Sequence, residues 1–204
     1  MKKLYKDVEK YYTKKIKKFG PTPKGVDWNG EKSQLIRFRK LAKILTSKIS
    51  SLNDIGCGYG KFSEYINNNY KNIEYRGYDI SRTMIDEAIK LYPHQKFFKI
   101  SNLNKIQIAD FSIASGIFNV RLNFTKSEWL SYIFSTLNEL NSKSKKGFSF
   151  NILTKNCDKE YMKKKLYYAD PLVLLNYCKV NFSNNVVLID DYKLYEFTIL
   201  VKKE

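Results

Sequence analysis

Asn53-Asp54-Ile55-Gly56-Cys57-Gly58-Tyr59-Gly60-Lys61-Phe62 decides how the rest of this chain is read. Glycines at 56, 58 and 60 follow a short apolar lead, Ser51 to Ile55, and precede a helical pattern over Lys61 to Asn68. That order describes a strand, a tight turn and a helix. Without a Cβ, glycine takes left-handed dihedrals and lets a ligand come close to the backbone. The helix behind the turn directs its unpaired N–H groups, and the positive end of its dipole, back into it. The stretch therefore suits an anionic or carboxylate-bearing ligand. A tight turn with no ligand leaves three clustered glycines without a reason.

Moving outward, Glu74 to Ile80 reads as the next strand, with Asp79 at its tip, 21 residues beyond Gly58. An acid at that point of a strand-helix-strand unit accepts hydrogen bonds from ribose hydroxyls. Nicotinamide-dinucleotide folds share the acid but ask for G-x-G-x-x-G, and Lys61 stands where their third glycine would be. Here the spacing is G-x-G-x-G, preceded by Asp54. With Asp79, this pattern resembles motif I and the ribose acid of the class I S-adenosylmethionine-dependent methyltransferases. The resemblance covers residues 50–120 by motif and the remainder by layout.

Apolar spacing predicts a helix over residues 3–18 (Leu4, Tyr5, Val8, Tyr11, Tyr12, Ile16), a break at Gly20 to Gly25, and a loop over Val26 to Gly30. A helix from Gln34 to Ile44 leads into the first strand. Ser81 is a candidate N-cap for a helix ending at Leu91, before Pro93. Strands follow at Lys96 to Ile100, Asp110 to Ala114 and Gly147 to Leu153, with helices over Glu128 to Leu140 and Pro171 to Val180. Asn185 to Asp190 and Tyr195 to Lys202 are late strands whose linker, with Asp190-Asp191-Tyr192 at its turn, is too short for a helical crossover. The pattern is α/β, a doubly wound parallel sheet with an antiparallel edge and helices on both faces. The resemblance implies a Rossmann-like sheet of seven strands with the last reversed. One domain is expected over 1–204, with 1–45 as an N-terminal helical lid and 46–204 as the cofactor-binding core.

No run approaches the roughly 18 apolar residues of a membrane span, and the N-terminus shows no secretory pattern. Three cysteines with no C-x-x-C pair point to free thiols in a cytoplasmic setting. The net charge of +17 is nearly all lysine, with only Arg37, Arg39, Arg76, Arg82 and Arg121 as arginines. Arginine is favoured for bidentate phosphate and base contacts, so the lysines read first as solvated surface. An acidic small molecule also profits from such a field, and nucleic acid is the lesser alternative.

The resemblance implies S-adenosylmethionine as cofactor and S-adenosylhomocysteine as product. It assigns Asp54, Gly56, Cys57, Gly58 and Gly60 to the amino-acid end, Asp79 to the ribose, and Ile80 to the face of the adenine. Asn102 takes the place where an acid often accepts from the adenine amino group. Ser115 and Gly116, leaving the fourth strand, contribute backbone to the wall. Tyr11, Tyr12 and Trp28 belong to a region that closes over the site in similar enzymes.

Methyl transfer from a sulfonium needs alignment and dryness, and a base only when the acceptor must lose a proton. The sole histidine, His94, precedes the third strand, away from the carboxyl-end crevice. The candidates for acceptor chemistry are Asn119, Tyr168 and Asp170. No zinc pattern and no Pro-Cys nucleophile are present, nor the Asn/Asp-Pro-Pro-Tyr/Phe motif of amino-methylating DNA enzymes. The expected reaction is methylation of a small-molecule oxygen on a phosphorylated, nucleotide-linked or acidic metabolite such as a surface-polysaccharide precursor. An RNA methyltransferase and a non-catalytic cofactor-binding module are the alternatives, and the assembly is a monomer or homodimer.

Overall fold

A computed structural model describes residues 2–46 and 48–203; Met1, Ser47 and Glu204, which fall within the expected 1–45 and 46–204 segments, lie outside the described residues. Helix α1 (Lys2–Phe19) buries Leu4, Val8 and Ile16 and turns its lysines outward. After Gly20 the chain makes a short 3-10 turn, Pro23–Val26, where the sequence pattern showed only a break. Proline at its first position presets the backbone dihedral. Helix α2 (Glu31–Leu41) tightens into a 3-10 turn at Ala42–Ile44.

Strand β1 (Ser51–Ile55), helix α3 (Lys61–Asn69), strand β2 (Glu74–Asp79), helix α4 (Arg82–Leu91) and strand β3 (Lys96–Lys99) follow the predicted alternation. Ser81 caps α4 by accepting a hydrogen bond from Met84 N. Strand β4 (Ala109–Ala114) leads to helix α5 (Lys126–Ser142), which starts two residues before its predicted Glu128. The reason is a capping box: Thr125 and Glu128 satisfy each other's backbone N–H. Strand β5 (Ser144–Leu153), helix α6 (Pro171–Asn181), strand β6 (Val186–Ile189) and strand β7 (Glu196–Lys202) complete the order.

The seven strands lie in the order β3-β2-β1-β4-β5-β7-β6. β1 to β5 are parallel where they pair, and β7 runs antiparallel to both β5 and β6. Alternation decides which side of the sheet each residue serves. Phe148, Phe150 and Ile152 of β5 and Phe197, Ile199 and Val201 of β7 pack with Trp129, Ile133 and Leu137 of α5. Leu52, Phe111, Ile113 and Leu200 pack on the other face with Phe38, Phe62 and Ile85 from α2, α3 and α4. The strand order reverses between β1 and β4, and a crevice opens beyond the carboxyl ends at such a point.

Candidate active site

The turn after β1 is pinned to the end of β2. Gly56 N and Cys57 N both donate to Tyr78 O, at 2.8 and 3.1 Å. Gly56, Gly58 and Gly60 have φ of 74°, 54° and 83°, a region that side chains with a Cβ rarely occupy. A Cβ on Gly56 would also lie 2.3 Å from Ile117 Cγ2. Asp79 ties the two halves together: its Oδ2 accepts from Gly58 N at 3.0 Å and its Oδ1 from Ser81 N at 2.7 Å. Burial raises its carboxyl to about 6, against the pull of these N–H groups.

Asp54 lies deeper, accepting from Tyr75 OH at 2.5 Å. Burial, reinforced by the charge of Asp79, raises it to about 7 although the tyrosine opposes the shift. Cys57 is sealed beside the turn, and burial pushes its thiol well up, so it stays protonated and unreactive.

These groups line one cavity with about 1000 Å³ of empty space, open solvent at its mouth included. Its floor carries Asp54, Gly56, Cys57, Gly58, Asp79 and Ile80, and Ser115, Gly116 and Ile117 form the wall at the end of β4. Ser115 Oγ and Thr136 Oγ1, both in lining residues, are buried without a hydrogen-bond partner among the described residues. Such orphans fit a polar ligand that completes them. Tyr5, Val8 and Tyr12 of α1 roof one end, Val26 and Trp28 the other. The roof is fastened: Thr13 Oγ1 and Ser81 Oγ share a hydrogen bond of 2.8 Å, and Lys15 pairs with Asp27 at 2.5 Å. Tyr11, expected in the lid, donates to Asp27 instead of lining the cavity.

Gly60, at the start of α3, is not among the lining residues, and four further sequence candidates lie elsewhere. Asn102 is outside the wall, its Nδ2 near Ser101 Oγ at 3.4 Å, while its neighbours Ile100 and Leu103 line the cavity. The three candidates for chemistry are not among the lining residues and make scaffold contacts. Asn119 Oδ1 accepts from Leu153 N at 3.1 Å and its carbonyl from Tyr167 N at 2.8 Å, which splices the exit of β4 to the segment after β5. Tyr168 OH accepts from Lys163 N at 3.0 Å and so braces its own loop. Asp170 caps α6 through Leu172 N at 3.0 Å and pairs with Lys155 at 2.5 Å. Only Asp170 is a short polar side chain at a helix end, where local backbone N–H groups claim it first; Asn119 is held by a distant strand and Tyr168 by its own loop. His94 is exposed in the connection before β3.

A group that sequence reasoning missed forms a closed circuit. Glu196, 2% exposed at the start of β7, accepts from Arg37 Nε at 2.8 Å and Nη2 at 2.6 Å, and from Asn151 Nδ2 at 3.0 Å. Asn151 Oδ1 accepts from Gly116 N at 2.7 Å. A Cβ on Gly116 would lie 2.4 Å from Trp28 Cζ2, and the Trp28 ring carries the Arg37 guanidinium at 3.8 Å. Arg37 and Glu196 stand 159 residues apart, so no spacing rule could have joined them.

Residues 53–147 match a family described as "Methyltransferase domain". Rv1506c of Mycobacterium tuberculosis (strain ATCC 25618 / H37Rv), a protein named as a methyltransferase, is 44% identical over 156 residues, covering 75% of this chain and 93% of its own. Among solved structures, magnesium protoporphyrin IX methyltransferase from Synechocystis PCC 6803 with bound SAM superposes with a TM-score of 0.61 at 15% identity, over 84% of this chain and 80% of the other. The DhpI-SAH complex does so with a TM-score of 0.65 at 9% identity, over 98% and 97%. The matched region falls on the glycine turn and the strands that hold it, and with the curated relative it carries the conclusion that this chain belongs to the class I S-adenosylmethionine-dependent methyltransferase family.

Proposed function

We propose that this protein binds S-adenosylmethionine in the cavity above the glycine turn and transfers its methyl group to a small, anionic acceptor through oxygen. The observation that carries the reading is the convergence of the turn, Asp79 and the unpartnered Ser115 Oγ on one roofed cavity. Asp79 would accept from the ribose, Ile80, Ile100 and Leu103 would flank the adenine, and the turn and Ser115 would hold the amino-acid end. When bound, the cofactor supplies a methyl group already activated on a sulfonium, which leaves S-adenosylhomocysteine behind. The chain's own residues then position the acceptor and exclude water, which α1 and Trp28 are placed to do.

Three features support a small acceptor with an ionised oxygen. The cavity's roughly 1000 Å³ of empty space, open solvent included, has to hold cofactor and acceptor together. His94, the only histidine, is exposed in the connection before β3 and is not among the lining residues. Phosphate or carboxylate oxygens need no base, and a surface of net charge +17 draws them in. A solved relative by fold is named for magnesium protoporphyrin IX, itself a small molecule. A phosphorylated or nucleotide-linked sugar, such as a surface-polysaccharide precursor, meets these terms, and the three unpaired cysteines fit a cytoplasmic setting.

The test is calorimetric titration with S-adenosylhomocysteine, followed by a screen of phosphorylated sugars, nucleotide-sugars and small acids for cofactor consumption. Micromolar binding and turnover of one such class is the expected result. Turnover of RNA alone, lost steeply as salt rises, would replace the small-molecule reading.

A further inference from the structure

The connection from β5 to α6, residues 154–168, is irregular in outline yet fastened along its length. Thr154 N donates to Tyr195 O at 3.0 Å, just before β7, and Ala169 N returns to Leu153 O at 2.8 Å. The middle is bound to the exit of β4. Leu122 N donates to Lys165 O at 2.9 Å, and Val120 faces Leu166 in an antiparallel bridge. Inside the loop, Tyr168 OH accepts from Lys163 N at 3.0 Å and donates to Tyr161 O at 3.4 Å. Compact surface loops held in this way by their own side chains are common carriers of function.

What the loop presents is Tyr161, from a short 3-10 turn over Lys159–Tyr161. Of the 16 tyrosines in the chain, Tyr161 and Tyr195 are the exposed ones, at 56% and 44%. They stack on each other, with ring centroids 5.6 Å apart and planes 24° apart. Tyr195 is fixed in turn, its OH donating to Asp158 Oδ2 at 3.0 Å. With Tyr195 on one face, Tyr161 turns its other face to solvent, where a third flat ring extends the stack. Lysines flank it in the chain. Lys155 is taken by Asp170, but Lys159, Lys163, Lys164 and Lys165 are exposed and make no ion pair among the described residues. Asp158 and Glu160 are the only acids of the connection, so the local balance is positive.

An open ring face beside unpaired cations suits a nucleotide, with its base on the ring and its phosphates on the lysines. Neither tyrosine lines the cavity. The loop is nevertheless bonded to the residues directly after Gly116 and Ile117, which form the cavity wall. Tyr161 stands five residues from Leu166, at most about 18 Å along the chain. A ligand that engages both cavity and ring therefore has two linked parts.

We infer that Tyr161, backed by Tyr195 and flanked by Lys163, Lys164 and Lys165, is a nucleotide-binding platform for the acceptor. The acceptor is then a nucleotide joined through its phosphates to the group that is methylated. The inference deepens the acceptor reading above and rests on it. Single-stranded RNA offers the same chemistry, but it asks for a track of successive stacking rings. The one other exposed aromatic side chain among the described residues is Phe98, on β3 at the far side of the sheet.

The experiment titrates uridine, cytidine, guanosine and adenosine diphosphates, and inorganic pyrophosphate, into protein saturated with S-adenosylhomocysteine, which keeps the adenosine pocket filled. At least one nucleotide is expected to bind about tenfold or more tightly than pyrophosphate, because only the nucleotide has a base to stack. Tyr161→Ala should lose about tenfold for that nucleotide and nothing for pyrophosphate, while Tyr161→Phe, which keeps the ring, should match wild type. Lys163→Ser combined with Lys164→Ser should weaken both ligands. All these side chains are exposed, and S-adenosylhomocysteine affinity should stay within about twofold in every variant. Nucleotides that bind no better than pyrophosphate, or equally well to Tyr161→Ala, overturn the platform. An oligouridylate of about ten residues that binds over a hundredfold more tightly than any mononucleotide replaces it with a nucleic-acid surface. A wild-type protein that fails to bind S-adenosylhomocysteine overturns the cofactor reading instead, and the uridine and cytidine diphosphate titrations of Tyr161→Ala still judge the platform.

Discussion

Asp79 and Asp54 are both carboxyls raised by burial, yet they differ in consequence. Asp79 lines the cavity and holds the turn, so Asp79→Ala removes the charged hydrogen bonds to the turn and, on the proposed reading, those to the ribose. Cofactor affinity should fall by about 1–3 kcal/mol in calorimetry, and an unchanged constant would remove it from the ribose site. Asp54 is buried at the cavity floor, and its carboxyl moves from 3.8 to about 7. Between those values the native form holds a proton that the unfolded chain has released, so the Asp54 contribution to stability declines as pH rises from about 4 to about 7. Asp54→Asn should flatten that decline, seen as the difference between wild-type and variant denaturation midpoints across the window; parallel curves would contradict it. The glycines and Asp79 were legible in sequence because backbone geometry at a strand end fixes them. That Asn119, Tyr168 and Asp170 do not line the cavity was not legible, because a side chain's direction depends on which backbone N–H reaches it first.

Elements were easier than residues, since periodicity averages over many positions. The alternation of β1 to β5 and the reversal of β7 could be read from apolar spacing and one short linker. Boundaries slipped where a local device extended them. Thr125 lengthened α5, and β5 began at Ser144 because the sheet tolerates Gly147 at a φ of 152°. A Cβ there would lie 2.3 Å from Val201 O, a backbone atom of the neighbouring strand. Gly147→Ala should therefore cost roughly 2–3 kcal/mol and lower the Tm by about 5–10 °C. Cofactor affinity should be unaffected at permissive temperature, because the strain lies at the amino end of the strand. A Tm within a degree of wild type would show that the two strands can part without penalty.

At the scale of the whole molecule the charge dominates. With a net +17 and ion pairs that are mostly solvent-facing, such as Lys61 with Glu64 and Lys96 with Glu74, the folded state repels itself. Raising sodium chloride from about 20 to about 300 mM should raise the Tm by several degrees, since screening acts within about 10 Å. A Tm that stays flat or falls would mean the lysines are compensated locally. Composition announced this field but not its partner, because lysines spread over every face specify no geometry.

β7 lies between β5 and β6 in the sheet but follows every other strand along the chain. During synthesis the earlier strands emerge first and fold as they can, leaving a slot beside β5 where backbone groups await a neighbour. Only when β7 arrives does Glu196 reach Arg37 and the wall around Gly116 become rigid. Nascent chains should therefore acquire most of their sheet before they can hold a ligand, so that competence waits for β7.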